Sequence, residues 1–310
     1  MDLPDGYAAR PATPDDVAAV CALVIAVDVE EYGEPDYEEA DIRDAWGRAG
    51  FDIARDTWVV EDSDANVVGY AIAREEQPQA LLQAEAFAAP GGPDLYPWLV
   101  DAVSLRAAEH AAEAGRTRAH VFNSEPNTRR AAALTCAGYS MVRVFRRMAA
   151  DLDPAPPALP TLPGVSIRRP EREDLRACWT LNQESFADHF DFAPSTYDAW
   201  RSAYVDTEMY RPEYWWLAEL DGRPVGLLIG QRHEDDGWVK SLGTLPSARG
   251  RGVGTALLLT AFHAFRADGF RRVGLGVDSA NSSGAMALYE RLGMRAGQRY
   301  DCYERTFTGT

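Results

Sequence analysis

Landmarks in the first half of the chain recur in the second half at a nearly constant separation. Arg10 is matched by Arg169, Trp58 by Trp216, Gly69 by Gly226 and Gly138 by Gly293, at offsets of 159, 158, 157 and 155. The same sequence of elements lies between them: a short strand, a helix entry, an apolar hairpin, a strand, a long helix, a strand, a short helix closed by glycine, and a last strand. A self-similar period of this length is read as a tandem duplication of one α+β unit. Between the halves, Asp151 to Pro163 carries five prolines, which suit neither a helix nor a central strand. We therefore expect domains at 1–150 and 165–310 joined by an extended linker at 151–164. Each should hold a central, mostly antiparallel mixed sheet flanked by helices.

Composition narrows the partners. The net charge is −17, and an acidic surface does not suit a phosphate backbone, so nucleic acid is not expected as a partner. It is compatible with steering a cationic small molecule. No apolar run reaches the roughly 18 residues of a membrane span. The start, Met1-Asp2-Leu3-Pro4-Asp5-Gly6, has no apolar leader pattern. Cys21, Cys136, Cys178 and Cys302 are far apart in apolar surroundings with no CxxC pair, so we expect reduced core thiols in a cytoplasmic protein. No metal site is expected, and a monomer or homodimer fits the chain.

The most distinctive stretch runs from Ser241 to Leu258. An apolar strand pattern leads through Leu245-Pro246 into Arg249-Gly250-Arg251-Gly252-Val253-Gly254-Thr255, and an apolar helical pattern follows to about Ala267. The glycines permit a tight turn and close approach of a bound group. The first helical N–H groups lack intrahelical partners and carry the positive end of the dipole, so the turn makes an anion site. Arg249 and Arg251 add charge. The spacing is neither that of a Walker loop, with no Lys-Ser/Thr pair, nor that of a dinucleotide fingerprint. In the first half the same place holds Ala89-Pro90-Gly91-Gly92-Pro93-Asp94, with no arginine, two prolines that remove backbone donors, and an aspartate. That half should bind a phosphorylated cofactor poorly and serve a structural role.

Arg249 to Gly254 matches the Q/R-x-x-G-x-G/A motif of the GNAT-type N-acetyltransferases, and Val277 to Met294 resembles their second motif, an Asn followed by a helix with Leu-Tyr and a closing Leu-Gly-Met. The chain thus resembles a tandem GNAT protein, closely over Val165 to Phe307 and as a degenerate copy over Tyr7 to Met148, where Leu134-Thr135 stands in the place of Leu-Tyr. The resemblance implies acetyl-CoA as acyl donor. Its pyrophosphate would sit on the loop from Arg249, Gly250, Arg251, Gly252, Val253 and Gly254 to Thr255, and its arm along Leu242, Gly243 and Thr244. A strand amide at Leu242 or Gly243 would stabilise the oxyanion, and Asn281 would bond the arm or cap its helix. Tyr289 would act as general acid toward the departing thiolate.

The acceptor would be a small-molecule amine, bound by Glu184, Phe186, His189 and Tyr204 from the first helices of the second half. Many relatives carry a carboxylate base on the strand itself, whereas this strand carries Trp238, Lys240 and Ser241. Base candidates are therefore Glu234, Asp235 and Asp236 ahead of the strand, Glu234 foremost, and His189. The Asn182-x-x-x-Phe186-x-x-His189 pattern is similar to mycothiol synthase, a tandem member of the superfamily, which implies a cysteinyl amine as acceptor. A non-catalytic acyl-CoA sensor and a nucleotide-phosphate enzyme are the readings from other classes.

Overall fold

The structure is a computed structural model describing residues 2–48, 50–77, 81–233, 236–281 and 284–309. The chain forms two compact units, Met1–Phe145 with Gln298–Thr310, and Arg146–Gly297.

The first unit contains β1 (Ala8–Arg10), α1 (Val17–Tyr32), α2 (Glu39–Trp46), α3 (Ile53–Asp56), β2 (Thr57–Glu61), β3 (Val67–Gln77), β4 (Leu81–Ala88), α4 (Tyr96–Ala114), β5 (Arg116–Ser124), α5 (Thr128–Cys136) and the start of β6 (Ser140–Asp151). Its strands run β1-β2-β3-β4-β5. The β4–β5 pair is parallel and the other described pairs are antiparallel. The second unit contains the end of β6, then β7 (Val165–Arg168), α6 (Leu175–Phe186), α7 (Tyr197–Tyr204), β8 (Trp215–Leu220), β9 (Arg223–His233), β10 (Asp236–Thr244), α8 (Val253–Ala267), β11 (Arg272–Asp278), α9 (Ala285–Arg291) and the start of β12 (Arg295–Thr308). Its order is β7-β8-β9-β10-β11, with the β10–β11 pair parallel. The duplication read from the landmarks is thus present as one repeated mixed sheet.

Both sheets bury two faces, because successive strand residues point to opposite sides. In the first unit Val59, Tyr70 and Ile72 pack under α1 and α2, while their neighbours Val60, Ala71 and Ala73 pack under α4. In the second, Trp215, Leu217, Leu227 and Ile229 pack with α6 and α7, while Trp216, Ala218 and Leu228 pack with α8. Leu257, Leu258, Phe262 and Phe265 of α8 are at most 1% exposed, and each buried side chain of this kind contributes about 1.5–3 kcal/mol. That packing holds the Gly-rich turn at a fixed end of the sheet.

The helix entries repeat atom for atom. Arg10 binds Asp16 at 2.8 Å and Glu61 at 2.6 Å, and Arg168 binds Asp174 at 2.5 Å and Glu219 at 2.8 Å. The structural counterpart of Arg10 is therefore Arg168, not the adjacent Arg169, whose Nε donates to the Glu213 carbonyl. The strand alternation places 168, not 169, beside Glu219, so the offset at this landmark is 158.

The sixth strand of each unit departs from the sequence expectation. Residues 298–308 of β12 belong to the first unit, where Tyr300–Thr308 pair antiparallel with β5, while residues 146–151 of β6 belong to the second. The boundary read at 151–164 thus lies inside the second unit. Alternation marks a strand but does not say which neighbour it pairs with. Cys21, Cys178 and Cys302 are buried and outside any disulfide, whereas Cys136, at the end of α5, is exposed. Burial pushes the Cys21 and Cys178 thiols up to about 11 and about 12, which makes them poor nucleophiles. Among the described residues no helix is long and apolar enough to cross a membrane.

Candidate active site

The site is built where β10 and β11 part. Their parallel ladder runs from Gly237↔Val273 to Val239↔Leu275. β10 then shifts register at Lys240 and continues through Ser241–Thr244, paired with β9. A bulge adds local twist and bends a strand away from a neighbour. Past it, Ser241–Thr244 have no ladder partner on the β11 side among the described residues.

At the end of that edge the chain turns through the Gly-rich loop. Gly250 and Gly252 have φ of +75° and +83°, left-handed values that a side chain disfavours, and Gly252 is the N-cap of α8. The first turn of α8 therefore presents amides with no helical acceptor toward the opening. Gly254 lets α8 approach α9, since a Cβ there would lie 3.4 Å from Leu288. The two arginines divide. Arg251 is exposed and has no ion-pair partner among the described residues. Arg249 donates to both oxygens of Asp188, at 2.8 and 3.3 Å, and to the Ser185 carbonyl at 3.1 Å. The guanidinium holds the Asp188 carboxyl below its usual range. Arg249 ties the loop to the end of α6.

The opposite wall is α9. The Tyr289 ring is 7% exposed in the core. Its hydroxyl has no hydrogen-bond partner among the described residues. Burial raises the phenol to about 12. Asn281 lies three residues ahead of the helix cap, which is Gly284 at φ +77°, so it does not cap α9. Its amide donates to the Asp278 carbonyl in the turn leaving β11.

The acceptor side is α6 and its following turn. A helical stripe of Cys178, Leu181, Asn182 and Ser185 is buried. Asn182 Nδ2 donates to Ser241 Oγ at 3.1 Å. A Cβ on Gly243 would lie 2.6 Å from Ser185 Cβ and 3.1 Å from the Phe186 ring. The Phe186 and His189 rings are 4.4 Å apart, and desolvation lowers the His189 pKa from 6.5. Phe186 and His189 thus stand together beside the strand end. Glu184 does not join them: it lies on the exposed face of α6, one position off the stripe. Tyr204 stacks on Trp200 at 5.5 Å and carries the Lys240 ammonium over its ring at 4.8 Å, so it braces the bulge. Asp236 pairs with Arg272 at 2.6 Å, at the far end of β10, about 23 Å along the strand from Gly243. Glu234 and Asp235 lie outside the described residues. Sequence reading placed Asn182, Ser185 and Asp188 in the acceptor-side stretch without giving any of them a role of its own, although the spacing 178, 181, 182, 185 already marks an inward helical stripe.

The first unit shows the same construction filled from within. Its parallel ladder ends at Ala84↔Val121. Just beyond, the Arg130 side chain of α5 bridges the two strands: NH1 donates to the Ala86 carbonyl at 2.9 Å, Nε to Asn123 Oδ1 at 2.9 Å and NH2 to Ser124 Oγ at 3.1 Å. Arg130 is 4% exposed, and its guanidinium lies over the Phe87 and Tyr96 rings. Met294 N bonds the Tyr289 carbonyl as Tyr139 N bonds that of Leu134. The buried Leu134, not the exposed Thr135, is therefore the counterpart of Tyr289.

Comparison with known proteins agrees with this construction. The profile of the acetyltransferase (GNAT) family matches residues 173–294. The mycothiol acetyltransferase of Acidothermus cellulolyticus is 32% identical over 258 residues, covering 76% of this chain and 75% of that protein. That of Thermomonospora curvata is 37% identical over 167 residues, 53% of this chain and 56% of that protein, so the chain spans just over half of this relative. A GCN5-related N-acetyltransferase from Sphaerobacter thermophilus superposes with a TM-score of 0.82 at 29% identity, over 99% of this chain and 98% of that one. With a parted parallel strand pair, a Gly-rich helix start and a relative aligned over three-quarters of its length, the chain belongs to the GNAT acetyltransferase family.

Proposed function

We propose that the second unit transfers an acetyl group from acetyl-CoA to the amine of a small molecule by direct attack, with no covalent enzyme intermediate. The observation that carries this reading is the end of the β10–β11 ladder at Val239, ahead of the Gly-rich start of α8, with Leu288 of α9 packed by Gly254 and the adjacent Tyr289 hydroxyl unpartnered among the described residues. The amides of Arg251 to Thr255 would hold the pyrophosphate and the edge from Leu242 to Thr244 the arm. Acetyl-CoA supplies an activated thioester. A strand amide near Gly243 stabilises the charge on the carbonyl oxygen. Tyr289, at about 12, stays protonated beside a thiolate of ordinary pKa near 8.5. It therefore acts as a hydrogen-bond donor that stabilises the departing thiolate while keeping its own proton.

The acceptor follows from the base. An alkylamine of pKa about 10.4 costs about 4–5 kcal/mol to deprotonate at neutral pH, whereas an α-amine near 7.8 costs about 1 kcal/mol. The Asp236 carboxylate of β10 is about 23 Å along the strand from Gly243, and the group at hand is His189, held in its neutral, proton-accepting form by burial. A weak base suits an amine of low pKa. The relatives' name, mycothiol acetyltransferase, supports the cysteinyl amine of a small thiol conjugate. We read the first unit as structural, with acetyl-CoA bound once per chain. Mass-spectrometric detection of acetylated product over a panel of cysteinyl amides, other α-amines and alkylamines tests this. Turnover on alkylamines alone would overturn the acceptor assignment. Binding of acetyl-CoA with no product on any amine would favour a sensor.

A further inference from the structure

α6 runs along β10 in two steps, and the second step is incomplete. At the first, Asn182 meets Ser241 through a hydrogen bond. One helical turn on, Ser185 meets Gly243, two residues further along the same strand face, and Gly243 has no side chain to answer it. Ser185 is 3% exposed, and its Oγ has no hydrogen-bond partner. It lies 3.0 Å from where a Gly243 Cβ would stand. The residue is nevertheless held firmly, with its Cβ against the strand and its carbonyl accepting from Arg249. A buried hydroxyl left unpaired is unfavourable in the free protein and calls for a partner that arrives later. Gly243 is the strand residue at which the acyl group is read to lie, and the absence of a side chain there is what makes room.

The geometry points to Ser185 as a catalytic hydrogen-bond donor to the carbonyl oxygen of the acyl thioester, completing an oxyanion site with the strand amide. This inference rests on the acetyl-transfer reading above. As the amine nitrogen bonds the carbonyl carbon, the π pair moves to oxygen, and the Ser185 O–H donates to that oxygen while keeping its proton. Collapse breaks the C–S bond. The amine proton leaves to His189, and the thiolate is met by the Tyr289 hydroxyl. A donor fixed before the reaction needs no reorganisation as the charge forms.

The test is Ser185→Ala, with Ser185→Cys as a weak-donor companion, in the full chain. Steady-state kinetics, acetyl-CoA titration calorimetry and thermal unfolding of the free protein are measured together. We expect kcat of Ser185→Ala to fall on the order of 10²-fold. KM and acetyl-CoA affinity should change by no more than about threefold. The free protein should unfold at the same or a higher temperature, because an unsatisfied group has gone. Ser185→Cys should lie between. Wild-type kcat in Ser185→Ala, a rise confined to acceptor KM, or a loss of kcat that tracks a lowered unfolding temperature would each overturn the assignment. If the wild-type chain itself forms no acetylated product, the acetyl-transfer reading fails and takes this one with it.

Discussion

Removing the Arg130 guanidinium should leave a charged-group cavity in the first unit and no new activity. In Arg130→Ala, Asn123 Oδ1, Ser124 Oγ and the Ala86 carbonyl lose donors at 2.9, 3.1 and 2.9 Å, and Glu31, 3.6 Å away, loses its cation. Breaking a buried charged network by deleting one partner costs about 3–5 kcal/mol. For a unit of this size that lowers the unfolding temperature by about 6–20 °C. Calorimetry reads the shift. Methylguanidinium, which fits the vacated acceptors, should recover about 1.4 kcal/mol at ten times its dissociation constant. Wild-type chain titrated with acetyl-CoA should show one equivalent bound. A second equivalent in the wild type, or an Arg130→Ala chain that unfolds at the wild-type temperature, would refute the account of the first unit as filled from within.

Three further outcomes test the second unit. Gly243→Ala sets a Cβ 2.6 Å from Ser185 Cβ, so α6 must move by about 1 Å; we expect about 1–3 kcal/mol of destabilisation and about 10²-fold lower kcat/KM, read by denaturant unfolding and product formation. Tyr289→Phe removes an unpaired hydroxyl, so unfolding should shift by less than about 0.5 kcal/mol while kcat falls at least tenfold; wild-type activity in the variant would exclude the donor role. With Tyr289 at about 12, its ionisation should cause no loss of rate up to about pH 10. The neutral form of His189 is the active one, and burial, with Arg249 adding to it against Asp188 and Asp278, lowers its pKa from 6.5. The wild-type rate should therefore fall as pH drops through a value below 6.5, and His189→Gln should lose that limb of the profile.

The duplication, the Gly-rich helix start and the Tyr289 helix were legible in the sequence because each is a local statement. Glycine at Gly250 and Gly252 answers to backbone dihedrals, helices to a 3.6-residue period, and strands to alternation. The repeat shows each landmark twice. What escaped was decided by neighbours far apart in the chain. Arg249 reads as a phosphate ligand, and only the structure shows Asp188, 61 residues earlier, holding it. Nothing in the sequence singles out Arg130, and only the strands it bridges show what it does. Glu184 and Ser185 are adjacent, yet the helical turn sends one to solvent and the other to Gly243. The exchange of terminal strands between the two halves was equally silent, since alternation fixes a strand's faces and not its partners. The sequence thus determined which local structures form and which loop can take an anion. Only the tertiary structure decided which charges are already neutralised, which cleft is filled and which hydroxyl is left waiting, because those depend on distances that chain separation does not encode.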